Sequence, residues 1–310
     1  MTSAQGTLSI IIPAYNEHEG AAEIVSFYRE IRASVPDLEF ELVVVDDGST
    51  DGTSDALVEL LRPEDRAKVV VFSRNFGAHA AISAGFAHCS GDAALTLSAD
   101  RQEPLSAVHS FIEEWRSGAD LVWGLRAVRS SKGGSNEFFA RSFSTTFNAI
   151  STVPTYPREG PSHILVSRRV MDVLNAMPEQ NRNVLAMAAW TGFDQRRVYF
   201  EQLPRPYGES RWTSAKKVKL VLDSIVEFSA VPLTWVLLAG FAMAGLGLVA
   251  LVAALVMALV GAQGTGLMLV GVVLGAVGVQ VVALGVLGQY VSRAGDDARR
   301  RPVYIVQDVR

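Results

Sequence analysis

The sequence has a single cysteine, Cys89, in 310 residues, which excludes a disulfide framework and a zinc site built on several thiolates. It has no basic excess either: 28 Lys and Arg stand against 32 Asp and Glu, a formal net charge of −4. Nucleic acid is therefore not expected as the main partner, because phosphate contacts need clustered Lys and Arg. The five histidines, at 18, 79, 88, 109 and 163, show no metal-ligand spacing. The first residues, Met-Thr-Ser-Ala-Gln-Gly-Thr, have no basic segment leading into an apolar one. No signal peptide is expected, and the bulk of the protein is expected in the cytoplasm.

Charge is scarce, at 19% of residues, and the scarcity is local. Between Glu227 and Arg293 there is no Asp, Glu, Lys or Arg. Residues 231–260 and 267–290, divided at Gly261-Ala-Gln-Gly-Thr-Gly266, are each long enough to cross a ~30 Å hydrocarbon core, which takes about 20 helical residues. Lys216, Lys217 and Lys219 precede the first span, and Arg293, Arg299, Arg300 and Arg301 follow the second. The connecting loop is uncharged. The positive-inside rule thus predicts a two-helix hairpin in the cytoplasmic membrane, with both termini inside.

Ahead of the hairpin, Val218, Leu222, Ile225 and Phe228 share one helical face beside Lys217 and Lys219. That pattern fits an interfacial amphipathic helix over 213–229, with an ordinary surface helix as the alternative. Gly271-x-x-x-Gly275 fits a helix-packing face, compatible with a homo-oligomer. The expected division is a cytoplasmic domain over 1–212, the amphipathic helix over 213–229, two transmembrane helices within 230–292 and a cytoplasmic tail over 293–310.

With the uncharged stretch and the tail set aside, 23 basic and 29 acidic residues remain, the balance of a mildly acidic globular domain. Its short β-branched runs, Leu8–Ala14, Leu42–Val45, Val69–Phe72, Ala94–Leu97 and Leu121–Gly124, alternate with helix-like stretches over 19–35, 53–61, 78–89 and 104–117. A βαβα series predicts an α/β domain with a mostly parallel, Rossmann-like sheet covered on both faces. Ligands of such sheets bind beyond the carboxyl ends of the strands. Those ends are polar here: Ile12-Pro13-Ala14-Tyr15-Asn16-Glu17, Val45-Asp46-Asp47-Gly48-Ser49-Thr50-Asp51-Gly52-Thr53, Ser73-Arg74-Asn75-Phe76-Gly77, Leu97-Ser98-Ala99-Asp100-Arg101-Gln102-Glu103-Pro104 and Gly124-Leu125-Arg126. Each alone is ordinary turn chemistry, and Asp51 or Thr53 also suits a helix cap. Five in register on consecutive strands are not ordinary.

These motifs, with Gly208-Glu-Ser-Arg-Trp212, the hairpin and Arg301-Pro-Val-Tyr-Ile-Val306, resemble the inverting GT-A glycosyltransferases of family 2. Within that family the resemblance is to dolichyl- and polyprenyl-phosphate sugar synthases, the bactoprenol glucosyltransferase-like branch. It implies an enzyme that moves one sugar from a nucleotide diphosphate sugar to an undecaprenyl-type polyprenyl phosphate at the bilayer surface. By the same resemblance Pro13, Tyr15, Glu17 and Asp46 would hold base and ribose, with Asp47 close by. The family's Asp-x-Asp-x-Gln segment, which holds Mg²⁺ or Mn²⁺ against the pyrophosphate, corresponds to Ser98, Asp100 and Gln102. Arg126 and Arg211, with Arg141 as a third candidate, would bind the acceptor phosphate, for which guanidinium geometry is suited.

Two carboxylates of the family pattern are replaced. Ser98 stands for the first metal-site Asp, which predicts a weakened ion site; a metal-free site is the alternative, and the adjacent Arg101 could offset some donor charge. Ser162, in Gly160-Pro161-Ser162-His163, stands for a candidate base. His163 beside it is either a titrating group or a structural imidazole. A hydroxyl acceptor needs a base. A phosphate monoester, with a second pKa of about 6, is already largely an oxyanion at pH 7. The missing base favours a phosphate acceptor. Transfer to a sugar hydroxyl and a non-catalytic binding subunit remain as the other readings.

Overall fold

The computed structural model describes residues 6–127, 156–157, 159–180, 182–203, 231–261 and 265–310. The first apolar runs form β1 (Thr7–Ala14), β2 (Glu39–Asp46), β3 (Ala67–Phe72) and β4 (Ala93–Thr96). Between and after them lie α1 (Ala21–Ser34), α2 (Thr53–Leu60), α3 (Ala78–His88) and α4 (Leu105–Arg116). The chain continues through β5 (Leu121–Arg126), β6 (His163–Ser167), α5 (Arg168–Ala176), α6 (Val184–Trp190) and β7 (Gln195–Phe200). A last strand, β8 (Val306–Val309), joins the same sheet, whose order is β7-β5-β6-β4-β1-β2-β3-β8. β1 pairs in parallel with β2 and β4, β2 with β3, and β5 with β7. β6 runs antiparallel to β4 and β5, and β8 antiparallel to β3. The α/β, mostly parallel sheet is the predicted one; β6, β7 and β8 extend it beyond the predicted strands.

Ile10, Ile11 and Ile12 of β1 and Val43, Val44 and Val45 of β2 are all buried, because helices cover both faces of a parallel sheet. Successive side chains alternate sides. Ile10, Ile12, Leu42 and Val44 join Phe27 and Ile31 of α1 and Phe111 of α4 in one layer. Ile11, Val43 and Val45 join Ala80, Ala81 and Ala84 of α3 in the other. α3 comes close because its contact face is small: a Cβ on Gly85 would lie 2.3 Å from Ile11 Cγ2. Two buried carboxylates are fully paired. Asp65 meets Arg29 Nη2 at 2.6 Å, and Glu41 accepts from Ser9 Oγ at 2.7 Å, Ser90 N at 2.7 Å and Lys68 Nζ at 2.8 Å. Burial pushes the Glu41 carboxyl up, but these donors outweigh it and hold the group below the usual carboxylate range.

β8 lies within the segment expected as a tail. Val309 and Asp308 pair with Val70 and Val71, and Val69 and Arg310 exchange backbone hydrogen bonds of 2.8 and 2.9 Å. Tyr304 stacks on Phe72 with ring centroids 4.9 Å apart. β8 thereby covers the β3 edge, which would otherwise present unpaired backbone groups.

The uncharged stretch forms α7 (Val231–Leu259) and α8 (Thr265–Ala298), 29 and 34 residues long. At about 1.5 Å per residue each exceeds a ~30 Å hydrocarbon core. Large apolar side chains along them stay exposed, including Trp235 at 60%, Phe241 at 69% and Leu284 at 67%. Gly275 packs on α7 of the same chain, where a Cβ would lie 2.9 Å from Met243 Cε, whereas Gly271 meets nothing within 4 Å. The proposed amphipathic helix and its lysines lie outside the described residues.

Tyr304→Ala should strip the ring from Phe72 and loosen the β3 edge. At a cost of roughly 2 kcal/mol the thermal midpoint is expected to fall by about 5 °C, read by differential scanning fluorimetry in detergent.

Candidate active site

The loops after β1 and β2 are sewn together by their own polar groups. Asn16 N donates to Ser49 Oγ (2.8 Å), Thr50 N to Asn16 Oδ1 (2.9 Å), Glu17 N to Thr53 Oγ1 (2.9 Å) and His18 N to Asp51 Oδ2 (3.2 Å). Asn16 adopts φ 52°, a left-handed conformation that Asn tolerates. Asp46, buried at the end of β2, accepts from Ser49 N at 2.8 Å and so closes its own turn. Pro13 lies in β1 opposite Val45, and Tyr15 and Glu17 follow it. The structure thus brings Pro13, Tyr15, Glu17 and Asp46 to one edge of the sheet.

Asp47 faces a different neighbour. Its two oxygens accept from Phe76 N (2.6 Å) and Gly77 N (2.9 Å), bracing the turn into α3. Burial raises its pKa and the nearby Asp46 charge adds to that, while the two N–H groups oppose them. Asp51 accepts from Thr53 N at 3.1 Å, which makes it a helix-start residue of α2. Gly48 sits between these loops at φ 70°, and a Cβ there would lie 2.3 Å from the Arg74 carbonyl carbon.

The loop after β4 carries the candidate metal residues. Ser98 Oγ donates to Glu103 Oε2 at 2.7 Å, and Ser98 N donates to the same oxygen at 3.2 Å. The Glu103 side chain is wholly buried, and its other oxygen lies 2.5 Å from His163 Nε2. Gln102 accepts from the Gln202 side-chain amide through Oε1 and from Leu203 N through its carbonyl at 2.9 Å. Arg101, at φ 48°, is turned onto α1, paired with Glu23 and Glu30 over the Phe27 ring. Its charge is spent there, so the expectation that Arg101 offsets donor charge is corrected.

Asp100 is the one carboxylate in the 98, 100 and 102 set, and no group of three or more His, Cys, Asp or Glu among the described residues could hold an ion alone. This donor set fits a cation that also takes phosphate oxygens and water, as Mg²⁺ does with one or two carboxylates.

On the neighbouring strands, Arg126 is the last residue of β5 rather than following it, and it stands in register with Phe200 of β7. Ser162 donates to the Gly124 carbonyl through N (3.0 Å) and Oγ (3.3 Å). His163 opens β6, which is antiparallel to β4, so it returns to the same sheet edge as Ser98. Arg141 and Arg211 lie outside the described residues. Glu103 and Gln202, which hold the β4 loop, were not among the expected site residues; Glu103 preceding Pro104 carries only the signal of a helix start.

Residues 9–172, more than half of the chain, match the family described as glycosyl transferase family 2. A bactoprenol glucosyl transferase of Shigella phage SfV is 31% identical over 304 residues, covering 97% of this chain and 98% of that protein. A glycosyltransferase of Synechocystis sp. is 31% identical over 309 residues, covering 97% of this chain and 95% of its own. Among solved structures, glucosyl-3-phosphoglycerate synthase from Mycobacterium tuberculosis, in complex with Mn²⁺, UDP and phosphoglyceric acid, superposes with TM-score 0.51 at 18% identity over 72% of this chain and 78% of that one. The mannosyltransferase PcManGT from Pyrobaculum calidifontis, with GDP-Man and Mn²⁺, gives 0.52 at 18% identity over 73% and 64%. Both show the fold.

Gly48→Ala combines a left-handed φ with a Cβ inside the Arg74 backbone, so the β2 and β3 loops must part. A loss of about 2–3 kcal/mol is expected. The purified variant should melt several degrees lower and bind nucleotide at least about tenfold more weakly by titration calorimetry, since about 1.4 kcal/mol of displaced loop energy is tenfold.

Proposed function

The chain belongs to glycosyl transferase family 2, and from that premise we propose that this glycosyltransferase moves one sugar from a nucleotide diphosphate sugar to undecaprenyl-type phosphate on the cytoplasmic face of the membrane, with inversion. The supporting observation is the reach of the similarity to bactoprenol glucosyl transferases, which takes in 97% of the chain and therefore the hairpin as well as the sheet. In this reading Pro13, Tyr15, Glu17 and Asp46 bind base and ribose, and Asp47 holds the α3 turn beside them. Asp100 is the anionic protein ligand for Mg²⁺ or Mn²⁺, with Gln102 and Ser98 at most weak neighbours. That ion supplies charge neutralisation at the pyrophosphate. Arg126 and Arg211 take the acceptor phosphate.

The chemistry needs little else. A phosphate oxygen of the acceptor attacks the anomeric carbon while the bond to the nucleoside diphosphate breaks, and the leaving group departs with the bonding pair. No proton has to be removed from an ionised phosphate. Ser162, whose hydroxyl is given to the Gly124 carbonyl, acts in positioning at the β5–β6 junction. Orientation and neutralisation carry the rate.

One feature of the sheet supports a two-crossing topology. β1 to β7 precede the hairpin and β8 follows it, yet all belong to one sheet. A chain that leaves and returns to the same sheet crosses a bilayer an even number of times, which agrees with α7 and α8 as two crossings, and the positive-inside rule puts both flanks on the cytoplasmic side.

Purified protein in detergent should release nucleoside diphosphate from one of UDP-, GDP- or dTDP-sugars only when undecaprenyl phosphate is present, and EDTA should suppress this. Asp100→Asn is expected to cut the rate at least about 100-fold, and Arg126→Gln to raise the half-saturating lipid concentration about tenfold. Silence across all three donor classes, from folded protein beside a working control enzyme, sinks the reading.

For the topology, Gln263→Cys should react in intact cells with a membrane-impermeant maleimide, whereas an added cysteine near residue 300 should react only after lysis. Labelling of both from outside would reject two crossings.

A further inference from the structure

The loop that carries Asp100 is anchored through every other residue from 98 to 103. Ala99 packs against the core, Arg101 is paired with Glu23 and Glu30, and Gln102 is bound by Gln202. The remaining anchors, Ser98 and Glu103, meet each other, and Glu103 also reaches across to His163 on β6.

A wholly buried carboxylate is costly unless each oxygen has a partner. Here Oε2 takes the Ser98 hydroxyl and N–H, while Oε1 makes no hydrogen bond among the described residues and lies 2.5 Å from His163 Nε2, the group that faces it. Burial pushes the Glu103 carboxyl up, yet His163 and Ser98 outweigh it and hold the group below the usual carboxylate range.

We propose that Glu103 is a positioning residue of the donor site, clamped between Ser98 and His163 so that the loop bearing Asp100 is fixed, and that Ser98 serves this carboxylate rather than an ion. This rests on the glycosyl transfer proposed above. It also accounts for the departure at 98. An aspartate there has no proton to give, and it would set a second negative charge where a hydroxyl now stands 2.7 Å from Glu103. The departures at 98 and at 162–163 are then one change, joined through Glu103: the site has a buried carboxylate–imidazole contact from β4 to β6 in place of a second metal carboxylate. Gly124 makes room for the β6 side, since a Cβ on it would lie 3.3 Å from His163 Cβ and 2.7 Å from Phe111 Cζ.

The test uses the full chain in detergent, with Mn²⁺ and UDP as probes, and compares Ser98→Asp, Glu103→Gln, the two together, and His163→Gln. Ser98→Asp alone should lower the thermal midpoint by several degrees and leave Mn²⁺ half-saturation no tighter than in the wild type. On the Glu103→Gln background the same substitution should be tolerated and tighten Mn²⁺ about tenfold, a non-additivity that marks direct coupling. His163→Gln should weaken Mn²⁺ half-saturation about tenfold, measured with UDP present, with a smaller change in the saturated rate, since a displaced Asp100 acts on ion binding first.

Ser98→Asp tightening Mn²⁺ with Glu103 intact and the midpoint unchanged overturns the proposal, as does additive behaviour of the pair. The thermal cycle reads the Ser98–Glu103 coupling even in protein that binds neither probe. Absence of lipid-dependent release by the wild type counts against glycosyl transfer alone.

Discussion

Both flanks of the hairpin are bound to one β-sheet, and that constraint sets what the molecule can do. Val69 and Arg310 exchange two backbone hydrogen bonds, and Tyr304 lies flat on Phe72, so the chain after α8 is part of the domain that precedes α7. Only residues 299–305 separate α8 from β8. At about 3.5 Å per residue, the reach from Ala298 to Val306 is at most ~28 Å. The sheet is therefore leashed to the C-terminal end of α8 by less than one bilayer thickness. In the proposed reaction, a donor site on such a leash meets a lipid-borne phosphate without leaving the membrane surface.

Within that frame the candidate site edge is braced by hydrogen bonds between buried polar groups and neighbouring loops. Asp46 closes its own turn, Asp47 braces the α3 turn, and Glu103 closes the β4 loop on Ser98. Each of these bonds crosses between consecutive strand ends or closes a loop at one. Loops braced by such bonds reorganise little when charge arrives, which is the condition for electrostatic stabilisation of a leaving pyrophosphate. The same engagement makes the edge intolerant: moving one loop leaves a buried acceptor unmatched in the next.

The parts legible in the sequence were those written in local pattern. Runs such as Ile10-Ile11-Ile12 announce strands buried on both faces, and the polar residues after them mark the ligand edge because parallel strands all end there. The uncharged stretch announces helices of membrane length. What stayed hidden depends on contacts between distant residues. β6 and β7 are five and six residues long and gain their identity from pairing with β5 across an insertion, and β8 pairs with a strand more than 230 residues earlier. Arg101 looked like a cation for the donor because it neighbours Asp100, yet its left-handed φ swings it onto α1. Glu103 looked like a helix start, and nothing local shows that Ser98 and His163 converge on it.

The two missing carboxylates also bear on the acceptor through charge. Bringing a phosphate monoester of nearly two negative charges to a pyrophosphate donor is a problem of repulsion. At an effective dielectric of about 20, each fixed carboxylate ~4 Å from the incoming phosphate would oppose each of its charges by ~4 kcal/mol. A hydroxyl acceptor tolerates a carboxylate because it is neutral and needs the base. An anionic acceptor gains nothing from the base and bears the whole repulsion. Serine at 162, with its hydroxyl given to the Gly124 carbonyl, places no charge there, and Glu103 is turned inward, against Ser98 and the His163 ring. In the proposed reading Arg126 at the end of β5 adds an attractive charge on the same edge, and the arrangement suits a nucleophile that arrives already negative.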